Sequence, residues 1–216
     1  MGPEESHDYY NFWENEILAK QSTDLLSLYE NAKNLPSDIN EHLPILYEYS
    51  RECQSIVECG FQKINSTWAF IKGLIDNGST QKKFTMIESN YNENILQIKK
   101  ICKNHSVDFA FILADDTKID LPSIDLLYLN TWKIYGHFKA KLKKHHLNVN
   151  KYIIMHDNTI DGWTNETSKY YINLAKTENY GGLWPTIADF LKNQQNWILH
   201  KRYTNNNGLV ILKRIS

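Results

Sequence analysis

The chain has 216 residues, of which 42% are hydrophobic and 23% charged, and its formal net charge at pH 7 is −1. These values are typical of a soluble globular protein with one full core. They make nucleic acid or an anionic membrane an unlikely partner, because no global field attracts either. No apolar run approaches the roughly 18 residues that a membrane-spanning helix requires.

The amino terminus and the cysteines indicate the compartment. The first residues, MGPEESHDYYNFW, have neither the basic nor the apolar segment of a signal peptide. Cys53, Cys59 and Cys102 form no C-x-x-C pair and are odd in number. We therefore expect three reduced, packed cysteines and a cytoplasmic protein.

Residues 1–52 are predicted to form a helical cap at the amino terminus. Apolar residues recur at helical spacing through YYNFWENEILAKQSTDLLSLYENAK. The segment LPSD interrupts this helix, and Ser37 or Asp38 is suited to cap a second helix through INEHLPILYEYSREC.

Residues 53–216 are predicted to form a single globular unit in which short apolar strands alternate with helices. The predicted strands are SIVECG, KFTMIES, DFAFILA, IDLLYL and KYIIMHD, followed by the hairpin strands WILHKRY and LVILKRI. Continuous apolar strands alternating with helices indicate a parallel sheet covered on both faces. Asn-Asn-Gly within TNNNG suits the tight turn of an antiparallel hairpin. The predicted fold is α/β: a doubly wound, mostly parallel sheet ending in an antiparallel hairpin.

Polar residues follow each of the five predicted parallel strands. In such sheets ligands bind outside the carboxyl ends of the strands, so these residues are candidates for a site. They are Glu58 and Gly60, Glu88, Asp115 and Asp116, Asn130 with Trp132 and Lys133, and His156 with Asp157 and Asn158.

The residue types at the first two strand ends favour an adenosine ligand. Glu88 suits a ribose diol, because a carboxylate accepts hydrogen bonds from both hydroxyls. Gly60 allows a ligand to approach the backbone closely. Neither a phosphate-binding G-x-x-x-x-G-K-[ST] motif nor a dinucleotide G-x-G-x-x-G motif is present, which disfavours a pyrophosphate.

Several motifs together resemble the class I S-adenosylmethionine-dependent methyltransferases, whose fold is Rossmann-like. The similarity is to the branch of macrocin-type and rhamnosyl O-methyltransferases and cephalosporin-hydroxylase-like proteins, with site features of the catechol-type enzymes. It lies in ECG…STWAFIKGL, IDLLYLNTW, KYIIMHDNT, GLWPTIADFL and RYTNNNGLVILKR, with MIESN and NTWK on the catechol side, and covers roughly residues 53–216.

The resemblance implies a role for most of the strand-end residues in binding S-adenosylmethionine. Glu58 and Gly60 would form the first cofactor motif, and Ser66 would hydrogen-bond the methionine carboxylate. Glu88 would hold the ribose. Asp115 or Asp116 would accept from the adenine amine, and Trp132 would stack on the adenine ring.

The resemblance also implies a metal site and a catalytic base. In catechol-type relatives the fourth and fifth strands hold a divalent metal, which maps here onto Asn130, Asp157 and Asn158. Lys133 falls where those relatives keep the base that deprotonates the acceptor hydroxyl, and His156 is the next candidate for this role. Because Asn130 stands where an Asp is expected, we expect Mg²⁺ binding to be weak or absent.

Two functions remain open. The first is an O-methyltransferase acting on a small hydroxylated acceptor, a sugar or glycosylated metabolite, with no membrane partner and no nucleic acid partner. The second is a catalytically degenerate fold that binds a nucleotide or a protein. Ile64, where the family has Gly, and Asn130 favour the second. The oligomeric state, a homodimer included, is open.

Overall fold

The structure, a computed structural model, describes residues 21–60, 64–159, 162–163 and 181–215. In this part of the chain six α-helices and two 3₁₀ turns surround one sheet. The helices are α1 (Leu25–Asn34), α2 (Leu43–Arg51), α3 (Asn65–Asp76), α4 (Asn94–Asn104), α5 (Tyr135–His145) and α6 (Leu183–Asn193), and the 3₁₀ turns are Asn40–His42 and His146–Asn148.

Seven strands of the described residues form a single mixed sheet, which confirms the predicted fold class. The strands are β1 (Ser55–Cys59), β2 (Lys83–Glu88), β3 (Asp108–Leu113), β4 (Ile124–Leu129), β5 (Val149–His156), β6 (Trp197–Tyr203) and β7 (Leu209–Arg214). Their spatial order is β3-β2-β1-β4-β5-β7-β6. The first five strands in the chain pair in parallel, and β7 pairs antiparallel with both β5 and β6. The chain order reverses between β1 and β4, and this switch point is where ligands bind in open α/β sheets.

The sheet separates two hydrophobic clusters, one on each face. Successive side chains of a strand point to opposite faces, and along β4 Leu126 and Tyr128 join one cluster while Leu127 and Leu129 join the other. Helices α1 to α4 cover the first face, and α5 and α6 cover the second. The central strands are apolar throughout because both of their faces are buried.

The described part of the amino-terminal segment contains two helices, and the predicted first helix is not continuous through residues 21–24. Residues 1–20 lie outside the described part, and residues 21–24 are not helical. The helix α1 is capped by Asp24, because the Asp24 carboxylate accepts a hydrogen bond from the amide of Leu26 at 3.1 Å. Ser37 caps the 3₁₀ turn rather than α2, accepting from the amide of Asn40 at 3.0 Å.

The turn between β6 and β7 is hydrogen-bonded to the segment before α2. Asn206 and Asn207 have φ values of +46° and +65°, as the predicted tight turn requires. The Asn206 side chain donates to the carbonyl of Ser37 (2.7 Å) and accepts from the amide of Glu41 (3.2 Å). A buried ring, His42, contacts the carbonyl of Asn205 (3.0 Å). These contacts place residues 37–42 over the carboxyl end of β5.

The three cysteines are buried and unpaired, as predicted. Within the described residues, every helix is too short or too polar to traverse a bilayer.

Candidate active site

A cavity of about 110 Å³ opens at the carboxyl ends of β2, β3 and β4. This volume is enough for several water-sized groups. Four residues predicted from the sequence lie around it, namely Glu88, Asp115, Asp116 and Trp132, and the remaining lining residues are Ile87, Ser89, Ala114, Thr131, His137 and Lys141. The parallel strands bring these residues together because their carboxyl ends meet at one edge of the sheet.

Glu88 ends β2 with its carboxylate at the rim of the cavity. Oε1 accepts from the amide of Ser89 at 2.7 Å and from the Ser89 hydroxyl at 3.0 Å. These bonds fix the direction of the carboxylate before any ligand binds, which lowers the cost of ordering it.

The two consecutive aspartates after β3 have different environments. Asp115 is partly exposed, and hydrogen bonds from the hydroxyl (2.6 Å) and amide (2.9 Å) of Thr117 hold its pKa below the usual range. Asp116 is buried, and its Oδ2 lies 2.8 Å from Nζ of Lys141. Of the two predicted acceptors for an adenine amine, Asp115 is therefore the one with an exposed carboxylate, while Asp116 is committed to an ion pair.

Lys141 and His137 contribute to the cavity wall, and sequence reasoning missed both. Lys141 is wholly buried on α5, where it also contacts the hydroxyl of Thr131. Burial lowers the pKa of Lys141, although the Asp116 carboxylate opposes this effect. Burial, followed by the charge of Lys141, also lowers the pKa of His137, which keeps that ring neutral at pH 7. Its ring lies 5.2 Å from that of Trp132, at an angle of 33°.

The first turn, after β1, is held by a buried carboxyl group. Glu58 accepts from the hydroxyls of Ser66 (2.5 Å) and Thr67 (2.7 Å), both at the start of α3. Burial raises the pKa of Glu58 to about 7, although these two hydrogen bonds oppose the shift. The structure thus places Glu58 and the Ser66 hydroxyl against each other inside the protein, where Glu58 orients the start of the helix.

Gly60 is required by the close approach of β1 to β4. Its φ is +79°, and a Cβ at this position would lie 2.5 Å from the carbonyl oxygen of Asn130 and 2.6 Å from Cγ2 of Thr131. Where the sequence predicted the close approach of a ligand to the backbone of Gly60, the structure places Asn130 and Thr131.

Ile64 needs no positive φ, since its φ is −56°. Its side chain packs against the first hydrophobic cluster, at the position where the methyltransferases that the sequence resembles have Gly.

Lys133 contacts two of the predicted metal ligands, Asn130 after β4 and Asp157 after β5. Its Nζ lies 2.6 Å from Oδ2 of Asp157 and donates to Oδ1 of Asn130 at 3.2 Å. The Lys133 side chain is 4% exposed and that of Asp157 is 14% exposed. This is a buried ion pair at the strand ends where the sequence predicted a site.

The His156 ring lies next to the Asp157 carboxylate. The ring is wholly buried, and Nε2 donates to the carbonyl oxygen of Asp38 at 2.9 Å, while Nδ1 lies 3.3 Å from Oδ1 of Asp157. Burial alone would raise the pKa of Asp157, but His156 and Lys133 together hold it well below the usual range. His156 is therefore buried between the Asp38 carbonyl and the Asp157 carboxylate, and its predicted role as a second catalytic base would have to act through that carboxylate.

The three predicted metal ligands do not form a cation site as they stand. Mg²⁺ requires oxygen ligands at about 2.0–2.1 Å, and the space between Asn130 and Asp157 is taken by the Lys133 ammonium group. The polar side-chain atoms of Asn158 are buried and have no hydrogen-bond partner among the described residues. In the same part of the chain, no three His, Cys, Asp or Glu side chains come together as metal ligands.

Comparisons with solved structures show that this arrangement of strands is shared. A putative caffeoyl-CoA O-methyltransferase from Staphylococcus aureus matches with a TM-score of 0.58 at 13% identity, over 96% of this chain and 98% of that one. An O-methyltransferase from Bacillus cereus, solved with S-adenosylhomocysteine (SAH), matches with a TM-score of 0.56 at 15% identity, over 95% and 97%. The chain has the fold of these methyltransferases.

A third match is TomG from Streptomyces achromogenes, an O-methyltransferase involved in tomaymycin synthesis and solved with S-adenosylmethionine. Its TM-score is 0.53 at 12% identity, over the whole of both chains. No protein-family model and no curated protein matches the sequence. At these identities the likeness is one of fold.

Proposed function

We propose that this protein is an S-adenosylmethionine-dependent O-methyltransferase acting on a small hydroxylated acceptor. The observation that carries the proposal is the cavity at the carboxyl edge of the sheet, where Glu88, Asp115 and Trp132 come together. Several proteins of the same fold were solved with S-adenosylmethionine or SAH bound.

Each of these residues has chemistry that suits one part of the nucleoside. The fixed carboxylate of Glu88 accepts from the ribose hydroxyls, and the ionised Asp115 accepts from the adenine amine. Trp132 offers an aromatic face to the adenine ring. The start of α3, which follows the turn after β1, carries the positive end of a helix dipole, and we assign the methionine carboxylate to it.

When bound, S-adenosylmethionine supplies a methyl group on a positively charged sulfur. The work of the protein is then to align the acceptor oxygen with that carbon and to exclude water. Lys133 and Asp157, at the neighbouring strand ends, are the charged groups we assign to the acceptor side. A sugar or glycosylated acceptor remains our prediction from the sequence, as does a cytoplasmic location.

Calorimetric titration with SAH tests the cofactor assignment. We expect Glu88→Ala to weaken binding by about 1.5–3 kcal/mol, the usual cost of losing a charge-assisted hydrogen bond, which is roughly 10- to 100-fold in Kd. The matched control is Glu93→Ala, which removes an exposed carboxylate outside the cavity and should leave Kd unchanged. Absence of binding to the unmodified protein at millimolar SAH would refute the proposal.

A second candidate is a degenerate fold that binds the nucleoside without transferring methyl groups. The replacement of the family's Gly by Ile64 favours this alternative. Both candidates bind SAH, so titration does not separate them. Formation of SAH from S-adenosylmethionine in the presence of a panel of sugars and phenols does separate them, since only the enzyme produces it above the rate without acceptor.

A further inference from the structure

We infer that the Lys133 ammonium group occupies the cation position between the ends of β4 and β5, so that this site works without a divalent metal. The inference concerns the arrangement of the chain itself. Its consequence for catalysis rests on the proposed function.

The geometry is that of a cation held by its ligands. Nζ of Lys133 lies within hydrogen-bonding distance of Asp157 (2.6 Å) and of Asn130 (3.2 Å), which come from the ends of two adjacent parallel strands. The lysine follows Asn130 by three residues, so the turn after β4 folds its side chain back over the strand end. A divalent ion bound to the same two oxygens would overlap the ammonium group.

The charges lead to the same conclusion. Asn130 is neutral, and Asp157 is the one carboxylate of the predicted ligand set, so Lys133 already balances it. A dication placed beside the buried ammonium would add two positive charges, and the predicted ligand set contains only the Asp157 carboxylate to compensate them.

The surroundings of Asp157 are also consistent with its Oδ2 facing Lys133. His156 Nδ1 lies 3.3 Å from Oδ1, the oxygen that does not contact Lys133 at 2.6 Å. The backbone of Asp157 has a φ of +63°, which is rare for a residue with a side chain. The two carboxylate oxygens of Asp157 therefore face different groups, Oδ2 the Lys133 ammonium group and Oδ1 the His156 ring.

In the proposed enzyme, Lys133 would supply the positive charge beside the acceptor oxygen. An acceptor hydroxyl that releases its proton to solvent becomes negatively charged, and a fixed cation nearby stabilises that oxygen. The O–C bond to the methyl group then forms as the S–C bond breaks, which leaves SAH. This is the electrostatic part of what a bound metal contributes as a Lewis acid.

Manganese binding, measured by electron paramagnetic resonance, tests whether the Lys133 ammonium group occupies the cation position. The measurement requires no methyl acceptor. The samples are the full chain, Lys133→Met, the double variant Lys133→Met/Asn130→Asp, and Asp157→Asn, with circular dichroism to verify folding. Lys139→Met is the matched control, because it removes an exposed lysine from the same segment. We expect the unmodified protein and the control to bind Mn²⁺ no better than Asp157→Asn does. We expect the double variant to gain a site at least tenfold tighter.

Two outcomes would overturn the inference. One is Mn²⁺ binding by the unmodified protein that Asp157→Asn weakens tenfold or more. The other is a folded double variant with no gain in binding, which would mean that these oxygens do not define a cation position. Failure of the proposed function is distinguishable, because it appears as absence of SAH binding whatever the Mn²⁺ result.

Discussion

Two buried lysine–aspartate pairs stand on either side of the end of β4, and they differ in what surrounds them. Lys141 pairs with Asp116, which follows β3, and Lys133 pairs with Asp157, which follows β5. Lys141 is part of the regular helix α5 and lines the cavity. Lys133 precedes that helix and lies among polar strand-end groups, Asn130 and His156 included.

The two pairs also differ in which of their members has a shifted pKa. For Lys141 burial dominates and lowers its pKa despite the nearby carboxylate. For Asp157 the neighbouring charges and hydrogen bonds prevail over burial and lower its pKa. We interpret the first pair as part of the cavity wall, because Lys141 lies on the regular helix α5. We interpret the second as part of a polar group at the strand ends, because Lys133 also donates to Asn130.

The largest effect is expected from removing Lys141. Lys141→Met should lower the free energy of unfolding by about 3–5 kcal/mol, because it leaves the Asp116 carboxylate buried without its partner. Chemical denaturation measures this loss. The control Lys139→Met, two residues away on the exposed side of α5, should change stability by no more than about 0.5 kcal/mol. Equal losses in both variants would contradict the assignment of Lys141 as a structural partner.

The second prediction separates two roles of Lys133, a fixed positive charge and a general base. Lys133→Met should reduce turnover by about 10²–10³, the usual cost of losing one group that stabilises a developing oxyanion. Lys133→Arg keeps the charge but cannot deprotonate the acceptor, so we expect it to lose about tenfold or less relative to the unmodified enzyme. Initial rates with the identified acceptor measure both. If arginine is as inactive as methionine while SAH binding is normal, the lysine is the base.

The third prediction uses Glu58, a buried carboxyl group that has hydroxyl partners in place of a lysine. Its pKa is raised from 4.5 to about 7 in the folded chain. Between these values the folded chain holds a proton that the unfolded chain has released, so stability falls as pH rises through this window. The loss attributable to Glu58 is on the order of 3 kcal/mol.

Glu58→Gln removes this titration and provides the measurement. The difference in unfolding free energy between the variant and the unmodified protein should shift in favour of the variant as pH rises from about 4.5 to 7. A difference that stays constant with pH would show that Glu58 is ionised in the folded chain.

The strands were predictable because burial on both faces demands apolar residues throughout, and IDLLYL and KYIIMHD satisfy this without ambiguity. The strand-end residues followed from the parallel order alone. It predicts that Glu88, Asp115 and Trp132 lie at one edge of the sheet, where they line a common cavity.

Lys141 shows where the sequence pattern failed. The charge pattern of the run KAKLKKHH, residues 139–146, favours a solvated helix face, yet Lys141, His145 and His146 are buried. Lys141 shares the spacing of Phe138, Leu142 and His145, which places it on the inner face of α5. A lysine on an inner face indicates a buried partner, but nothing local in the sequence points to Asp116, which precedes it by 25 positions.

The fastening of the β6–β7 turn to residues 37–42 also has a consequence for the order in which the chain folds. Glu41 and Asn206 meet across a sequence separation of 165 residues, and contacts of such range form late because they require the closure of a long loop. During synthesis, residues 37–42 leave the ribosome well before this turn and meet it only after the intervening residues have been made. We therefore expect the cover over the carboxyl end of β5, where Asp38 meets His156, to form after the strands that carry the cavity have paired.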